Sequence, residues 1–381
     1  MGKDDKKALI VFALAGFFGF LENDVKTLQS LGYKVYCATK NNNASERSKE
    51  SIIKANDVQV VNVNFDSKKI FSKDNLIAYK QLKKLFKENK FDVVHCHTPI
   101  AGAITRLAMK KYRRRNKTKI FYTTHGFSFT KYSSKKEFKK YFSIEKYFSK
   151  FTDVIITIND EDFNYAKQMK SKAVEKINGV GFDYDRFHNV DINRSEYRKS
   201  LGVTDTDIMI LSVGELSSRK NHQVIIKAIS KIKNPNIVYV IAGKELAGSG
   251  TKEELISLAE KLNVRLILLG HRPDIPEIIK CSDIGAIPSI REGLGLAGVQ
   301  SLACGVPLVG TDVQGIREYI INDKTGYLCD AFDENDCAEK IKLLLENKSK
   351  MIENCYEISQ NFSITVSKRQ MEEIYTKSLR N

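Results

Sequence analysis

Tryptophan is absent from the sequence, proline occurs only 6 times in 381 residues, and the 7 cysteines never form a C-x-x-C pair. Cysteines scattered in this way exclude a disulfide framework and a cysteine-based zinc site, and they favour a reducing, cytoplasmic environment. The low content of proline and glycine excludes collagen-like and disordered chains. The most apolar stretch, 8–21, is too short to cross a bilayer, which takes about 20 apolar residues, so we expect a buried strand there.

Charge is distributed unevenly along the chain, whose formal net charge is +16 at pH 7. Residues 1–200 contain 40 Lys and Arg against 22 Asp and Glu, a net charge of +18, whereas residues 201–381 contain 22 against 24, a net charge of −2. Residues 101–150 alone hold 15 basic and 2 acidic side chains. This excess calls for an acidic partner, such as nucleic acid, an anionic membrane surface or a phosphorylated substrate, and its location indicates two domains with different partners.

Apolar runs of strand length alternate with helical patterns throughout the chain, and clear helical patterns occur at 75–88 and 252–262. Continuous rather than alternating apolar strands are typical of burial on both faces, which predicts the α/β class with parallel sheets. The predicted strands are 9–13, 34–38, 58–63, 93–96, 120–124 and 154–158 in the first half, and 208–213, 237–242, 266–269, 284–287 and 307–309 in the second.

A polar stretch, 178–207, separates the two halves and contains Asp-x-Asp strings at 183–185 and 205–207. Such carboxylates can form a metal–nucleotide clamp, but their place in a linker favours turns and helix caps. Open parallel sheets bind ligands outside the carboxyl ends of their strands, so candidate functional residues should lie in the loops that follow strands.

At two strand ends in the first half, a candidate functional residue has two possible interpretations. Gly16 follows the first strand at a turn into a helix, where it either lets backbone N–H groups approach a phosphate or forms a tight turn. His125 follows the fifth predicted strand and is either a structural histidine or a group that donates to a substrate hydroxyl.

The segment His95-Cys96-His97-Thr98 ends another strand. Alternation along the strand places His95 and His97 on one face, but no third metal ligand is apparent nearby, so we expect no metal. We predict that His95 lies in the core and that His97 faces a substrate.

Two loops in the second half combine charge with helix N-termini. Arg219 and Lys220 lie in a turn between a strand and a helix and either bind a diphosphate or form a solvated basic turn. Glu292 lies in a glycine-flanked turn that opens another helix, where amides are available to phosphate and a carboxylate can accept hydrogen bonds from sugar hydroxyls.

Taken together, several motifs resemble the retaining glycosyltransferases of the GT-B fold, family 4, and in particular the bacterial enzymes of capsular and exopolysaccharide synthesis. The resemblance covers almost the whole chain. It rests on His95-Cys96-His97-Thr98-Pro99, Thr124-His125-Gly126-Phe127, Arg219-Lys220-Asn221-His222, Gly270-His271-Arg272 and Arg291-Glu292-Gly293-Leu294-Gly295-Leu296.

The resemblance implies two Rossmann-like, doubly wound domains that face a cleft. Residues 1–185 would form the acceptor-binding domain and 186–364 the nucleotide-sugar-binding domain, with a C-terminal helix at 365–381 crossing back to the first. It also implies retaining transfer of a sugar, without metal or other cofactor, from a nucleotide diphosphate donor such as a UDP-sugar. The acceptor would be a saccharide or a polyprenyl-diphosphate-linked saccharide.

The resemblance also implies roles for individual residues. His125 and Glu292 would be catalytic, and His97 and Thr98 would contact the acceptor. The donor-binding residues would be Gly16, Arg219, Lys220, His271, Arg272, Glu292, Leu294, Gly295, Leu296 and Gln300.

Three positions depart from the family pattern. Gln300 stands where a second glutamate normally binds the ribose hydroxyls, and this change should weaken donor affinity about tenfold, since a neutral hydrogen bond is about 1 kcal/mol weaker than a charged one. Many relatives have arginine in place of Glu215, and the subgroup often has histidine in place of Ser128.

Two other functions stay open on the sequence alone. One is a different GT-B reaction, such as nucleotide-sugar 2-epimerisation, which needs further carboxylates and histidines. The other is nucleic-acid binding by the basic half, although no recognition motif supports it and we expect no nucleic-acid partner. We expect instead a cytoplasmic protein whose basic first domain, with Arg113–Arg115 and aromatic residues among lysines, rests on the anionic inner face of the plasma membrane.

Overall fold

The computed structural model describes residues 6–41, 53–54, 56–245 and 248–380. The chain forms two compact units, one of Met1–Gly181 together with Ile364–Asn381 and the other of Phe182–Ser363. The division thus falls between Gly181 and Phe182, slightly before the predicted boundary at 185. None of the helices in the described ranges is long and apolar enough to cross a membrane.

The first unit contains a seven-stranded sheet in the order β3-β2-β1-β4-β5-β6-β7, and every strand pair is parallel. The strands are β1 (Lys7–Leu14), β2 (Lys34–Lys40), β3 (Gln59–Asn62), β4 (Val93–His97), β5 (Lys119–Thr123), β6 (Val154–Thr157) and β7 (Ala173–Lys176). Its helices are α1 (Glu22–Ser30), α2 (Lys73–Glu88), α3 (Pro99–Met109), α4 (Tyr112–Asn116), α5 (Lys135–Ser149) and α6 (Asp160–Ala166).

The second unit contains a six-stranded parallel sheet in the order β10-β9-β8-β11-β12-β13. Its strands are β8 (Ile208–Val213), β9 (Ile237–Ala242), β10 (Arg265–Gly270), β11 (Ile284–Ile287), β12 (Leu308–Thr311) and β13 (Gly326–Cys329). Its helices are α7 (Tyr184–His188), α8 (Arg194–Ser200), α9 (His222–Ile232), α10 (Thr251–Lys261), α11 (Ile275–Lys280), α12 (Leu296–Ala303), α13 (Glu334–Asn347) and α14 (Ile352–Gln360).

The last helix, α15 (Ile364–Arg380), belongs to the first unit. Its Ser367 accepts a hydrogen bond from Asn23 at 3.3 Å and donates one to the carbonyl of Gly179 at 2.9 Å. Tyr375 is completely buried and contacts His95 on β4. These contacts place polar groups of α15 next to the central strands of the first sheet.

Burial on both faces of the sheets confirms the predicted α/β class with two Rossmann-like units. All five residues of β4 are buried, as are six of the eight residues of β1. Helix α2 buries Ala78, Leu82 and Phe86, spaced four residues apart on one face. All 7 cysteines are buried and free.

The two Asp-x-Asp strings form caps and turns, as predicted. Asp183 accepts a hydrogen bond from the backbone N–H of Arg186 and caps α7. Asp207 accepts a hydrogen bond from the backbone N–H of Thr204 and forms an ion pair with Arg265.

Each sheet reverses its strand order at one point, between β1 and β4 in the first unit and between β8 and β11 in the second. Ligands of doubly wound sheets bind outside the carboxyl ends of the strands at such a switch point. The loops that follow β1, β4, β8 and β11 are therefore the first places to look for a functional site.

Candidate active site

In the second unit, the loops after β8 and β11 bring two basic side chains onto one carboxylate. The Nζ atom of Lys220 lies 2.9 Å from Oε2 of Glu292, and Nη1 of Arg219 lies 3.0 Å from the same oxygen. Arg219 also contacts Oε1 of Glu215 at 3.0 Å. The side chains of Lys220 and Glu292 are each only 15% exposed, so their charges interact with little screening by water.

The pKa of Glu292 shows the balance of charge in this cluster. Burial acts to raise the pKa of the carboxyl, but the nearby Lys220 and Arg219 outweigh burial and hold the pKa below its ordinary value. Glu292 is therefore ionised at neutral pH, and the cluster carries one more positive than negative charge before Glu215 is counted.

The N-terminus of α12 opens next to Glu292. Gly295 precedes the helix with φ of 81°, a conformation that favours glycine. The first amides of a helix have no partner within the helix, so that of Leu296 can bind an anion, whereas that of Gly298 already donates to the carbonyl of Gly295 at 2.8 Å. Leu294 is buried and fixes the turn in the unit's core.

Sequence reasoning missed Gly298 of this helix and Tyr319, the residue that packs against it. Tyr319 is completely buried, and its hydroxyl has no hydrogen-bond partner in the described parts of the chain. A Cβ atom at Gly298 would lie 2.3 Å from that hydroxyl oxygen, so only glycine lets α12 pack against Tyr319. The spacing Gly293-x-Gly295-x-x-Gly298 was the signal that could have identified Gly298, whereas no sequence pattern indicated Tyr319.

The other predicted donor residues lie in the second unit as well. His271 is exposed just after β10, and Arg272 donates from Nε to Oδ1 of Asp274 at 2.8 Å. Gln300 lies half-buried in α12. The structure thus places Arg219, Lys220, Glu292 and the start of α12 together at the switch point, and His271 and Arg272 after the edge strand of the same sheet.

In the first unit, two predicted histidines are in contact. Nδ1 of His97 lies 3.1 Å from Nε2 of His125, so one ring donates a hydrogen bond to the other. His125 is half-buried, and the ring of Phe17 packs edge-on against it with 4.8 Å between ring centroids. Gly16, next to Phe17, is exposed in the turn after β1, at the edge of the sheet where the parallel strands β1, β4 and β5 end.

The predicted orientation of His97 toward an acceptor is wrong, because its side chain is completely buried among Asp24, His95 and His125. Thr98 is half-buried, with φ of 65°, and begins the turn into α3. His95 is a core residue, as predicted: its Nδ1 lies 2.6 Å from the hydroxyl of Tyr375 and its Nε2 lies 2.7 Å from that of Thr123.

Asp24 is the buried group that the sequence did not reveal. Its Oδ2 lies 3.8 Å from Nε2 of His97, and burial raises the pKa of its carboxyl to about 7. Burial also lowers the pKa of His125 to about 4 and that of His97 well below its ordinary value, so both rings are neutral at pH 7.

Asp24, His95 and His97 form the one group of potential metal ligands found among the described residues. Both ring nitrogens of His95 already have hydroxyl partners, and Nδ1 of His97 contacts His125. Within the described residues, Nε2 of His97 is the ring nitrogen of this group that has no hydrogen-bond partner. This donor set fits a buried hydrogen-bonded network better than a metal centre, which would need a free nitrogen from each histidine.

Comparison with known proteins identifies the family of the chain. Residues 193–362 match the family described as "Glycosyl transferases group 1", and residues 10–159 match "Glycosyl transferase 4-like". The protein named "Putative glycosyltransferase EpsD" of Bacillus subtilis (strain 168) is 34% identical over 80% of this chain and 82% of its own length. The chain belongs to the GT-B glycosyltransferases of family 4.

Two further proteins are informative. The UDP-Gal:alpha-D-GlcNAc-diphosphoundecaprenol alpha-1,3-galactosyltransferase of Escherichia coli is 28% identical over 77% of this chain and 77% of its own length. The crystal structure of Anabaena Alr3699/HepE in complex with UDP superposes with a TM-score of 0.79 at 20% identity, over 97% of this chain and all of that one. The structural similarity to the Anabaena protein confirms the fold.

Proposed function

We propose that the protein is a retaining glycosyltransferase that moves a sugar from a UDP-sugar to a saccharide carried on polyprenyl diphosphate, during synthesis of a cell-surface polysaccharide. The observation that carries this proposal is the contact of Lys220 and Arg219 with Glu292 beside the N-terminus of α12. The names of the Escherichia coli galactosyltransferase and of the UDP complex support the choice of donor and acceptor.

The residues account for binding and departure of the nucleotide. When the donor binds, Lys220 and Arg219 exchange part of their contact with Glu292 for the diphosphate, and the amides of Leu294 to Leu296 add hydrogen bonds to it. Glu292 then accepts hydrogen bonds from hydroxyls of the donor sugar. Cations and amides fixed in place before the reaction stabilise the charge that develops on the leaving diphosphate, which is usually the largest catalytic contribution.

Transfer with retention follows if the acceptor hydroxyl attacks from the side on which the diphosphate leaves. The bond between the anomeric carbon and the diphosphate breaks, the bond to the acceptor oxygen forms, and the departing phosphate oxygen takes the acceptor proton. In the first unit, neutral His125 forms a hydrogen bond with the acceptor, and in the second unit Arg219 and Lys220 supply positive charge that a metal ion provides in other enzymes.

Membrane association is part of the proposal. Arg114 and Arg115 on α4 are exposed, whereas the guanidinium of Arg113 lies 2.6 Å from a carboxylate oxygen of Asp153. Each exposed basic residue near an anionic surface contributes about 1 kcal/mol. We expect the first unit to bind the cytoplasmic face of the plasma membrane through this region.

The test is a donor screen that follows release of the nucleotide, with an undecaprenyl-diphosphate sugar as acceptor and with EDTA in parallel samples. We expect acceptor-dependent release of UDP from one UDP-sugar, unchanged by EDTA, and a product with the anomeric configuration of the donor. Inversion of configuration or loss of activity in EDTA would refute the corresponding part of the proposal.

A further inference from the structure

The first unit contains a cavity of about 820 Å³ that the steps above do not use. Leu14, at the end of β1, Ile100, in the first turn of α3, and Ile144 of α5 line it. Gly16 and Phe17 also line it, and the ring of Phe17 contacts His125. The cavity is therefore next to the proposed reaction site of this unit.

The walls of the cavity are mainly apolar. Phe71 is 98% exposed and Tyr141 is 36% exposed, so both present aromatic surface that the protein itself does not cover in the described structure. Among the described residues, Glu145 is the one acidic or amide side chain, of the kind that usually binds sugars, that lines the cavity. Its two carboxylate oxygens already accept hydrogen bonds from Arg106 and Tyr122, each at 3.1 Å. This lining suits a hydrocarbon better than a saccharide.

Positive charge accompanies the apolar walls. Lys68 and Lys140 line the cavity. Neither ammonium group has a carboxylate partner within the described ranges, and that of Lys140 lies 5.2 Å from the centre of the Tyr141 ring. Thr98, Pro99 and Ile100, at the N-terminus of the 11-residue helix α3, line it too, and a helix N-terminus adds partial positive charge. A ligand that matches all these features has a hydrocarbon chain joined directly to phosphate.

We propose that this cavity binds the isoprenoid diphosphate portion of the lipid-linked acceptor. The first isoprene units pack against Phe71, Ile100 and Ile144, and the diphosphate contacts Lys68 and Lys140. The inference rests on the proposed function, because it gives the acceptor of that reaction a binding site. It also explains why an apolar cavity is flanked by two lysines that have no carboxylate partner in the described part of the chain.

Farnesyl diphosphate, a short isoprenoid diphosphate, is the probe, and calorimetry with the full chain measures its binding. Replacing both lysines (K68A with K140A) should weaken binding about tenfold or more, and F71S should do the same through the apolar wall. A103W, which fills the cavity from α3, should abolish binding. The matched controls are K139A, an exposed lysine of α5 outside the cavity, and F332S, a 70% exposed phenylalanine of the second unit; neither should change affinity.

Binding of UDP to the same samples separates the two proposals. If UDP binds to every variant as to the parent and farnesyl diphosphate responds as described, the inference is supported. The inference is wrong, and the proposed function stands, if UDP binds to the parent protein but farnesyl diphosphate does not. The same conclusion follows if F71S, A103W and the double lysine variant all bind farnesyl diphosphate with the affinity of the parent. If UDP does not bind to the parent protein, the proposed function itself fails. Inorganic diphosphate should bind more weakly than farnesyl diphosphate and should not respond to F71S.

Discussion

The ammonium nitrogen of Lys220 lies 2.9 Å from a carboxylate oxygen of Glu292, although the two residues belong to different loops of the second unit. Both side chains are largely buried, and a buried pair of charges is costly to break from one side, because the remaining charge loses its partner. A diphosphate can replace the carboxylate as the partner of Lys220 without leaving an uncompensated charge. The pair is thus prepared for exchange with an anionic ligand.

Replacing Glu292 with glutamine separates the two roles of this cluster. The change removes the anion that competes with the diphosphate for Lys220 and Arg219, so calorimetry should show UDP affinity equal to or up to about tenfold above that of the parent. The rate of sugar transfer should fall because the sugar hydroxyls lose a charged acceptor. E215Q is the matched control, since Glu215 forms an ion pair with Arg219, whereas Lys220 pairs with Glu292. A loss of UDP affinity in E292Q would show that Glu292 only supports the loop.

Replacing Gln300 with glutamate should raise UDP affinity about tenfold, because a charged acceptor strengthens the hydrogen bonds to ribose hydroxyls by about 1 kcal/mol. The gain should disappear with 2′,3′-dideoxy-UDP, which lacks those hydroxyls. Calorimetry with both nucleotides makes this comparison. An equal gain in affinity for UDP and for the dideoxy nucleotide would mean that the substituted residue does not act through the ribose hydroxyls.

Replacing His125 with alanine should leave UDP affinity within about twofold of the parent and lower the transfer rate about 100-fold, because the residue belongs to the first unit and acts on the acceptor, not on the nucleotide. His125→Asn should recover part of the rate by restoring a hydrogen-bond donor. Since burial lowers the pKa of His125 to about 4, its protonation should cause no inflection of the rate near pH 6.5. Equal losses of affinity and rate would contradict the placement of His125 at the reaction.

Replacing Asp24 with asparagine should change the pH dependence of stability. Its carboxyl has a pKa of about 7 in the folded protein against 3.8 as the ordinary value, so the folded state holds a proton that the unfolded state lacks between these values. The resulting stabilisation is complete below 3.8 and is lost as pH rises through about 7, and it amounts to at most about 4 kcal/mol.

Urea unfolding of both proteins at about pH 5 and about pH 8 measures this effect. The parent should lose more free energy of unfolding than the D24N variant over this interval. Burial lowers the pKa of His95, His97, His125 and His222, and these residues lose stabilisation as pH falls. They are common to both proteins, so their contributions cancel in the comparison. Equal losses would mean that Asp24 is ionised in the folded protein at neutral pH.

Most of the sheet architecture was predictable because central strands are buried on both faces. The predicted strands 208–213, 237–242 and 284–287 coincide with β8, β9 and β11. Strands β7 and β13 were missed, and both lie at the edge of a sheet. All four residues of β7 are half-buried, and β13 begins with glycine, so neither presents a continuous apolar run.

The site was predictable where residues of one loop act together and unpredictable where distant segments meet. Arg219, Lys220 and Glu292 were recognised from their loops, but their contact with one another was not. The approach of Asp24 to His97 joins α1 to β4, and Tyr319 reaches Gly298 from another part of the second unit. Such pairs depend on tertiary packing, which no local pattern encodes.

The binding of UDP to the Lys220→Ala variant tests the central claim most directly, with Lys231→Ala, an exposed lysine at the end of α9, as the control. The variant loses the cation that pairs with the diphosphate and leaves Glu292 to repel it. Calorimetry should therefore show UDP affinity lowered roughly 10- to 100-fold in K220A and unchanged in K231A. Affinity in K220A equal to that of the parent would contradict the assignment of this cluster as the donor site.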